Sequence, residues 1–294
     1  METTFTLTKS PAIIRRLVLF AALFLVVFPL SVLYLLLVIG GDWLNAYLPA
    51  CQELLAGRSP YNQFNFFNPP WALLPLLPLA LLPAKVGSVI LSVTNVLVFA
   101  GVAHRLGAKP IVVLLIATLP PVLYSTNIDW MVALGLILPP QIGLFFVLVK
   151  PQVGIFVALF WFVQTSRRGL RETVRVFAPV TIVFILSLLI FGPYPLKSVG
   201  QLSQIANPWN AHIFPYGVPV GLALLGAAVR GKRAGYAATA APFLSPYSLL
   251  WSWPVALLGL LPDTAMTVLA VVGVWMIDLT QTHLGSYILS MLRH

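Results

Sequence analysis

Charge is what this sequence has least of. Its 294 residues include 17 Lys and Arg but only 7 Asp and Glu, a charged share of 8%, against roughly 25% in soluble domains. Water cannot solvate most of such a surface, so a soluble fold is excluded. Cysteine is nearly absent: Cys51 stands alone, which rules out an intrachain disulfide. Histidine is scarce too. His104, His212, His283 and His294 lie far apart without helical ligand spacing, which excludes a histidine-cluster metal site. Walker, dinucleotide-binding, HExxH, CxxC and GxSxG motifs are missing. There is no internal repeat of the kind that marks many transporters, and no hydrophilic stretch long enough for a separate domain.

Apolar residues fill the space that charge leaves. They make up 60% of the chain, with a mean hydropathy of +0.96. The composition reads as an all-α, polytopic membrane bundle in which residues 1–294 form one integral domain and lipid contacts the outer surface. The net charge of +10 falls in short clusters between apolar runs. That is the pattern of cytoplasmic loops rather than of a nucleic-acid surface, so membrane lipids are expected as partners and nucleic acid is not.

The clusters set the topology. Leu17 to Ile39 is an apolar run of 23 residues after Lys9, Arg15 and Arg16. It is too long for a cleavable signal core and reads as a first span with a cytoplasmic N-terminus. Further clusters are Arg105 with Lys109, then Arg167, Arg168, Arg171 and Arg175, then Arg230, Lys232 and Arg233. Placing each inside requires an even number of crossings between them. Residues 69–82 number only 14 and contain Pro69, Pro70, Pro75 and Pro78, too short and too broken for a span of about 20 residues. They are expected as a juxtamembrane segment. Spans are then expected at 86–104, 111–126, within 130–164, and at 176–191, 213–229, 236–261 and 264–289, about eight in all with ten allowed. The outer loop at 40–85, with its juxtamembrane helices, is the longest part outside the bundle.

That loop carries the chemistry. Asp42 follows Gly40 and Gly41 at the outer end of the first span, where a carboxylate can meet both lipid and water. It is equally suited to cap a surface helix over 43–56. Leu44, Tyr47, Leu48, Cys51 and Leu55 give that helix one apolar face, and Gly57 is placed to end it. Arg58, Asn62, Gln63, Asn65 and Asn68 surround aromatic side chains, a mixture that fits sugars or head groups and also an ordinary interfacial belt. Lys150 interrupts an apolar stretch. An intramembrane lysine is costly enough to suggest function, although a snorkelling side chain would look the same. Asp129 is a candidate for positioning substrate, holding Lys150 or binding a divalent ion, the one cofactor the sequence leaves open, or it is simply a polar turn residue.

Asp42, Tyr47, Ala50, Leu54, Gly57, Pro60, Tyr61, Phe67 and Pro69-Pro70 resemble the first outer loop of the polyprenyl-phosphate-dependent GT-C glycosyltransferases. The closest likeness is to the alpha-1,2-mannosyltransferase-like family 87. Asn127-Ile128-Asp129, Lys150-Pro151-Gln152, Phe191-Gly192-Pro193, Asn207 to Asn210 and Ser245-Pro246-Tyr247 resemble later pieces of that family. Asn68 stands where the family usually has Tyr. The resemblance spans roughly residues 40–250 and implies transfer of a mannose-like hexose, with inversion, from a polyprenyl-phosphate donor to a lipid or glycan acceptor. The reaction would occur at the outer face of the plasma (inner) membrane. Asp42 would be the general base, Lys150 the leading phosphate ligand, and His212 and Lys197 further donors to phosphate or sugar. Tyr61, Arg58 and Asn68 would contribute to substrate binding. The competing readings are a non-catalytic membrane relative and a small transporter.

Overall fold

The structure, a computed structural model, describes residues 41–123, 125–202 and 210–281, with single positions at 18, 21 and 25. Most of the expected first span therefore lies outside the described residues, as do Asn207, His283 and His294. Among the described residues the fold is all-α and contains no strand; Asn210 and Leu249 form one isolated antiparallel bridge.

A π-helical turn, Trp43–Tyr47, runs into α1 (Leu48–Leu55). Residues 69–82 make no straight span. They form a 3-10 turn, Pro70–Leu73, and one helical turn, Leu77–Ala80. Next come α2 (Ala84–Arg105), α3 (Pro110–Ala117), α4 (Pro120–Leu123), α5 (Asp129–Gly135), α6 (Pro140–Val147) and α7 (Pro151–Ser166). The C-terminal half contains α8 (Leu170–Phe191), α9 (Tyr194–Leu202), α10 (Val218–Gly231), α11 (Ala234–Thr239), α12 (Ala241–Leu244), α13 (Trp253–Leu257) and α14 (Thr264–Gln281).

Only α2 and α8, each of 22 residues, are long and apolar enough to cross a membrane among the described residues. At 1.5 Å per residue each extends about 33 Å. The expectation of about eight plain spans is thus corrected, and proline supplies the reason. Helices α3, α4, α6, α7 and α10 all carry Pro at their first or second position. Proline fits the first turn of a helix and disfavours continuing one from the preceding turn; α8 runs through Pro179 all the same. The expected span at 111–126 is divided at Pro120-Pro121, and 130–164 is cut into α5, α6 and α7 by Pro139-Pro140 and Pro151. Residues 236–261 become α11, α12, a 3-10 turn and α13.

Each helix end exposes carbonyls that lack an intrahelical partner, and in apolar surroundings such groups must be satisfied by protein. Side chains from neighbouring elements do this repeatedly. Asn95 on α2 donates to the Val122 carbonyl at 2.8 Å, and Trp71 to that of Phe145 at 3.0 Å. Gln164 on α7 donates to Val229 at 3.0 Å, and Thr239 on α11 to Ala256 at 2.6 Å. Hydrogen bonding thus makes the breaks affordable inside the protein.

Packing sets the positions of the short helices. A Cβ on Gly143 of α6 would lie 2.7 Å from the Gly135 carbonyl of α5, and a Cβ on Gly154 of α7 would collide with the Val147 carbonyl. Two glycines therefore let α5, α6 and α7 approach backbone to backbone. This close folding brings Lys150, just before α7, beside Asp129, the first residue of α5.

Candidate active site

The site is built on the irregular stretch 125–128 between α4 and α5. Its centre is Asn127, whose carboxamide orientation is dictated by its neighbours. Oδ1 accepts from the Tyr47 hydroxyl at 2.8 Å and from the Ile128 N–H at 2.7 Å. Nδ2 is thereby turned outward and donates to Asp42 Oδ2 at 2.9 Å. One residue along, Thr126 Oγ1 accepts from the Trp43 N–H at 3.0 Å. These contacts bind residues 42–47 to a segment 80 to 85 positions later.

Asp42 is not a helix cap. Its backbone is already helical and its side chain makes no capping bond; a capping residue would have non-helical backbone angles. Its carboxylate is half-buried and faces Asn127. Burial raises its pKa above the ordinary aspartate value. The positive field of Lys150 opposes this rise, the negative field of Asp129 adds to it, and the Asn127 hydrogen bond opposes it. Burial also lifts the Tyr47 hydroxyl, with the negative charges of Asp42 and Asp129 adding to the effect, so Tyr47 remains a hydrogen-bond donor.

Within electrostatic reach of Asp42 lies a buried ion pair. Lys150 Nζ is 2.6 Å from Asp129 Oδ2, and each side chain is 3% exposed. Of the roles open to Asp129, holding Lys150 is the one its geometry displays. A second donor direction of the ammonium meets Ser252 Oγ at 3.5 Å. Asp129 Oδ1 is buried without a hydrogen-bond partner among the described residues.

A divalent cation does not fit here. Among the described residues no three His, Cys, Asp or Glu side chains cluster as metal ligands. The Asp129 carboxylate already neutralises Lys150, whose ammonium would repel a second cation.

Hydrogen bonds tie several of the other expected residues to this centre. Asn68 Nδ2 donates to the Val149 carbonyl at 2.8 Å, and the Tyr61 hydroxyl to the Asn68 carbonyl at 2.8 Å. Lys197 Nζ donates to the Tyr61 carbonyl at 2.7 Å, while the Tyr61 and Tyr194 rings stack with centroids 4.6 Å apart. Burial pushes the Tyr194 hydroxyl up to about 12. A chain of contacts thus runs from α9 through Tyr61 and Asn68 to the residue preceding Lys150. Next to His212 in the chain, the Ala211 carbonyl accepts from Trp253, the residue after Ser252, at 3.2 Å. His212 Nδ1 is buried without a partner among the described residues.

Arg58 is the exception. It forms a two-pronged pair with Glu53, at 2.8 and 2.9 Å, on an exposed surface. Hydrogen bonds from Arg58 and Asn62 lower the Glu53 carboxyl to about 2. Arg58 therefore secures the end of α1 and is joined to the centre by no hydrogen bond. Sequence reasoning omitted Asn127 and Ser252 from the site. The Asn-Ile-Asp run offered a signal for Asn127; Ser252, in a Trp-rich segment, offered none.

No protein-family model, curated protein or solved structure matches the chain.

Proposed function

We propose that this protein is a polytopic membrane glycosyltransferase of the GT-C type that uses a polyprenyl-phosphate-linked, mannose-like hexose. The reading is supported above all by the Asp42 carboxylate, which is held by Asn127 and lies within the electrostatic reach of the buried Asp129–Lys150 pair. On this reading the basic clusters keep the N-terminus and residues 167–175, the end of the turn and the start of α8, in the cytoplasm and leave Asp42 at the outer face. Broken helices in the interior act with α2 and α8 as membrane segments. Irregular backbone at membrane depth is stable where protein encloses it, as the carbonyl contacts of Asn95 and Gln164 illustrate.

In this mechanism the acceptor hydroxyl gives its proton to Asp42 as its oxygen attacks C1 of the sugar. The bond from C1 to the phosphate oxygen breaks on the opposite face, so the configuration at C1 inverts. Polyprenyl phosphate leaves with one more negative charge than it carried in the donor. Burial makes Asp42 a stronger base than an exposed aspartate. Lys150 keeps its short contact with Asp129 and exchanges the long one with Ser252 for the leaving phosphate, where a positioned donor acts on developing charge. Asp129 orients Lys150, while Asn68, Tyr61, Lys197 and His212 shape the lipid- and sugar-facing side.

The test is to supply purified protein with polyprenyl-phosphate hexose and an acceptor extract. Release of polyprenyl phosphate together with glycosylated product is expected. Donor left intact, or movement of the donor without cleavage, would assign the protein to the non-catalytic or transporter class.

A further inference from the structure

A second feature lies at the other end of α7. Between α7 and α10 runs a cavity of about 350 Å³ with apolar walls that include Leu159, Val163, Leu225 and Val229. That volume is in the range of small-ligand sites. Arg167 and Arg230 also line it. Both are exposed, and neither has a carboxylate partner among the described residues. Residues 151–171 and 218–233 contain no Asp or Glu. Both arginines stand where α7 and α10 end, and helix C-termini repel anions, so any anion held there depends on the arginines. The Gln164 bond to the Val229 carbonyl braces the two helices, giving the groove a preformed shape. Gly226 borders it, and a Cβ there would meet nothing within 4 Å.

We propose that this groove holds an acyl chain of an anionic phospholipid whose phosphate sits between Arg167 and Arg230. An apolar slot lined by exposed Leu159 suits a hydrocarbon chain. Two unpaired guanidiniums suit a phosphate, which arginine can bind through paired N–H donors, and basic pockets between membrane helices on the cytoplasmic side hold such head groups. The site is separate from the catalytic proposal. About 25 Å of helix lies between Lys150 and Arg167 at 1.5 Å per residue, and the two readings share only the membrane setting.

The test is native mass spectrometry of the full chain in detergent, titrated with phosphatidylglycerol or phosphatidylcholine. The parent protein should retain one phosphatidylglycerol in preference to phosphatidylcholine. Each arginine near a charged lipid is worth roughly fivefold in affinity, so R167Q/R230Q should weaken retention by roughly 25-fold. R168Q/R171Q removes the same charge outside the groove and should change it by less than about threefold. Gly226→Phe fills the slot, keeps every charge and should also release the lipid. Three results would overturn the proposal: no preference for the anionic lipid, equal weakening by the two double variants, or a parent dimer that Gly226→Phe turns into a monomer without changing lipid retention. Sugar transfer is read separately, so a failure here leaves the Asp42 reading to its own test.

Discussion

Replacing Asp129 by Asn should be among the most damaging single substitutions in the chain, and its cost follows from the geometry. The Lys150 ammonium lies 2.6 Å from Asp129 Oδ2 with both side chains 3% exposed, so neither charge can turn to water. Removing one member of such a pair leaves an uncompensated buried charge, which costs about 3–5 kcal/mol. Ser252 at 3.5 Å is too distant and too weakly polar to replace a carboxylate. The double variant D129N/K150M removes both charges and should recover most of that loss, because exchanging a whole buried pair for uncharged groups is often close to neutral. K150M alone should fall between them. Equilibrium unfolding in mixed detergent micelles, run as a double-mutant cycle, measures all three. If D129N and the double variant were equally stable, or both lay within about 1 kcal/mol of the parent, the ion pair would not anchor this part of the fold.

Three other predictions concern proton uptake, packing and topology. The acid limb of sugar transfer should lie above the ordinary aspartate range; K150M and Asn127→Leu should move it further up and D129N down, because Lys150 and Asn127 lower the Asp42 pKa and Asp129 raises it. A carboxyl whose folded pKa exceeds its unfolded value opposes folding once ionised, so the Asp42 contribution to stability declines as pH rises between those two values, and D42N should remove that slope. Gly154→Ala should destabilise by about 1–3 kcal/mol through overpacking against the Val147 carbonyl, measurable in the same unfolding assay; an unchanged midpoint would refute the close approach of α6 and α7. Cysteines introduced at 62 and 169 should be labelled from opposite sides of the membrane against a silent background, since Cys51 is buried and its thiol is pushed up to about 12.

The legible parts of the fold were those encoded locally. Unbroken hydropathy marked α2 and the 176–191 part of α8, which in the structure already begins at Leu170 within the basic cluster, and the prolines of 69–82 excluded a span there. Proline also warned of breaks in 130–164 but did not say where each piece would pack, because that depends on contacts such as Gly143 against Gly135. The first outer loop was read as a surface helix with one apolar face. Tyr47, Leu48 and Cys51 of that face are buried within the protein, whereas Leu55 is 50% exposed.

Asp42, Asp129 and Lys150 could each be chosen from the cost of charge in an apolar chain, but their meeting could not. The Asp42–Asn127 bond spans 85 residues, and the Lys150–Ser252 contact spans 102. Arg58 was ambiguous in the sequence because a basic residue beside aromatics fits a sugar site as well as a helix end. Glu53 decides between them once the chain turns at Gly57, whose φ is +71°.

The central claim is that Asp42 is the base, and D42N tests it most directly. Asn keeps the size of the side chain and a carbonyl that can accept from Asn127, while losing the ability to take a proton. The variant should bind polyprenyl-phosphate hexose with parental affinity and unfold at no lower stability than the parent. Its rate of sugar transfer should fall about 100- to 10,000-fold, the range that a general base contributes. Transfer at the parental rate by a folded, donor-binding D42N protein would contradict the account.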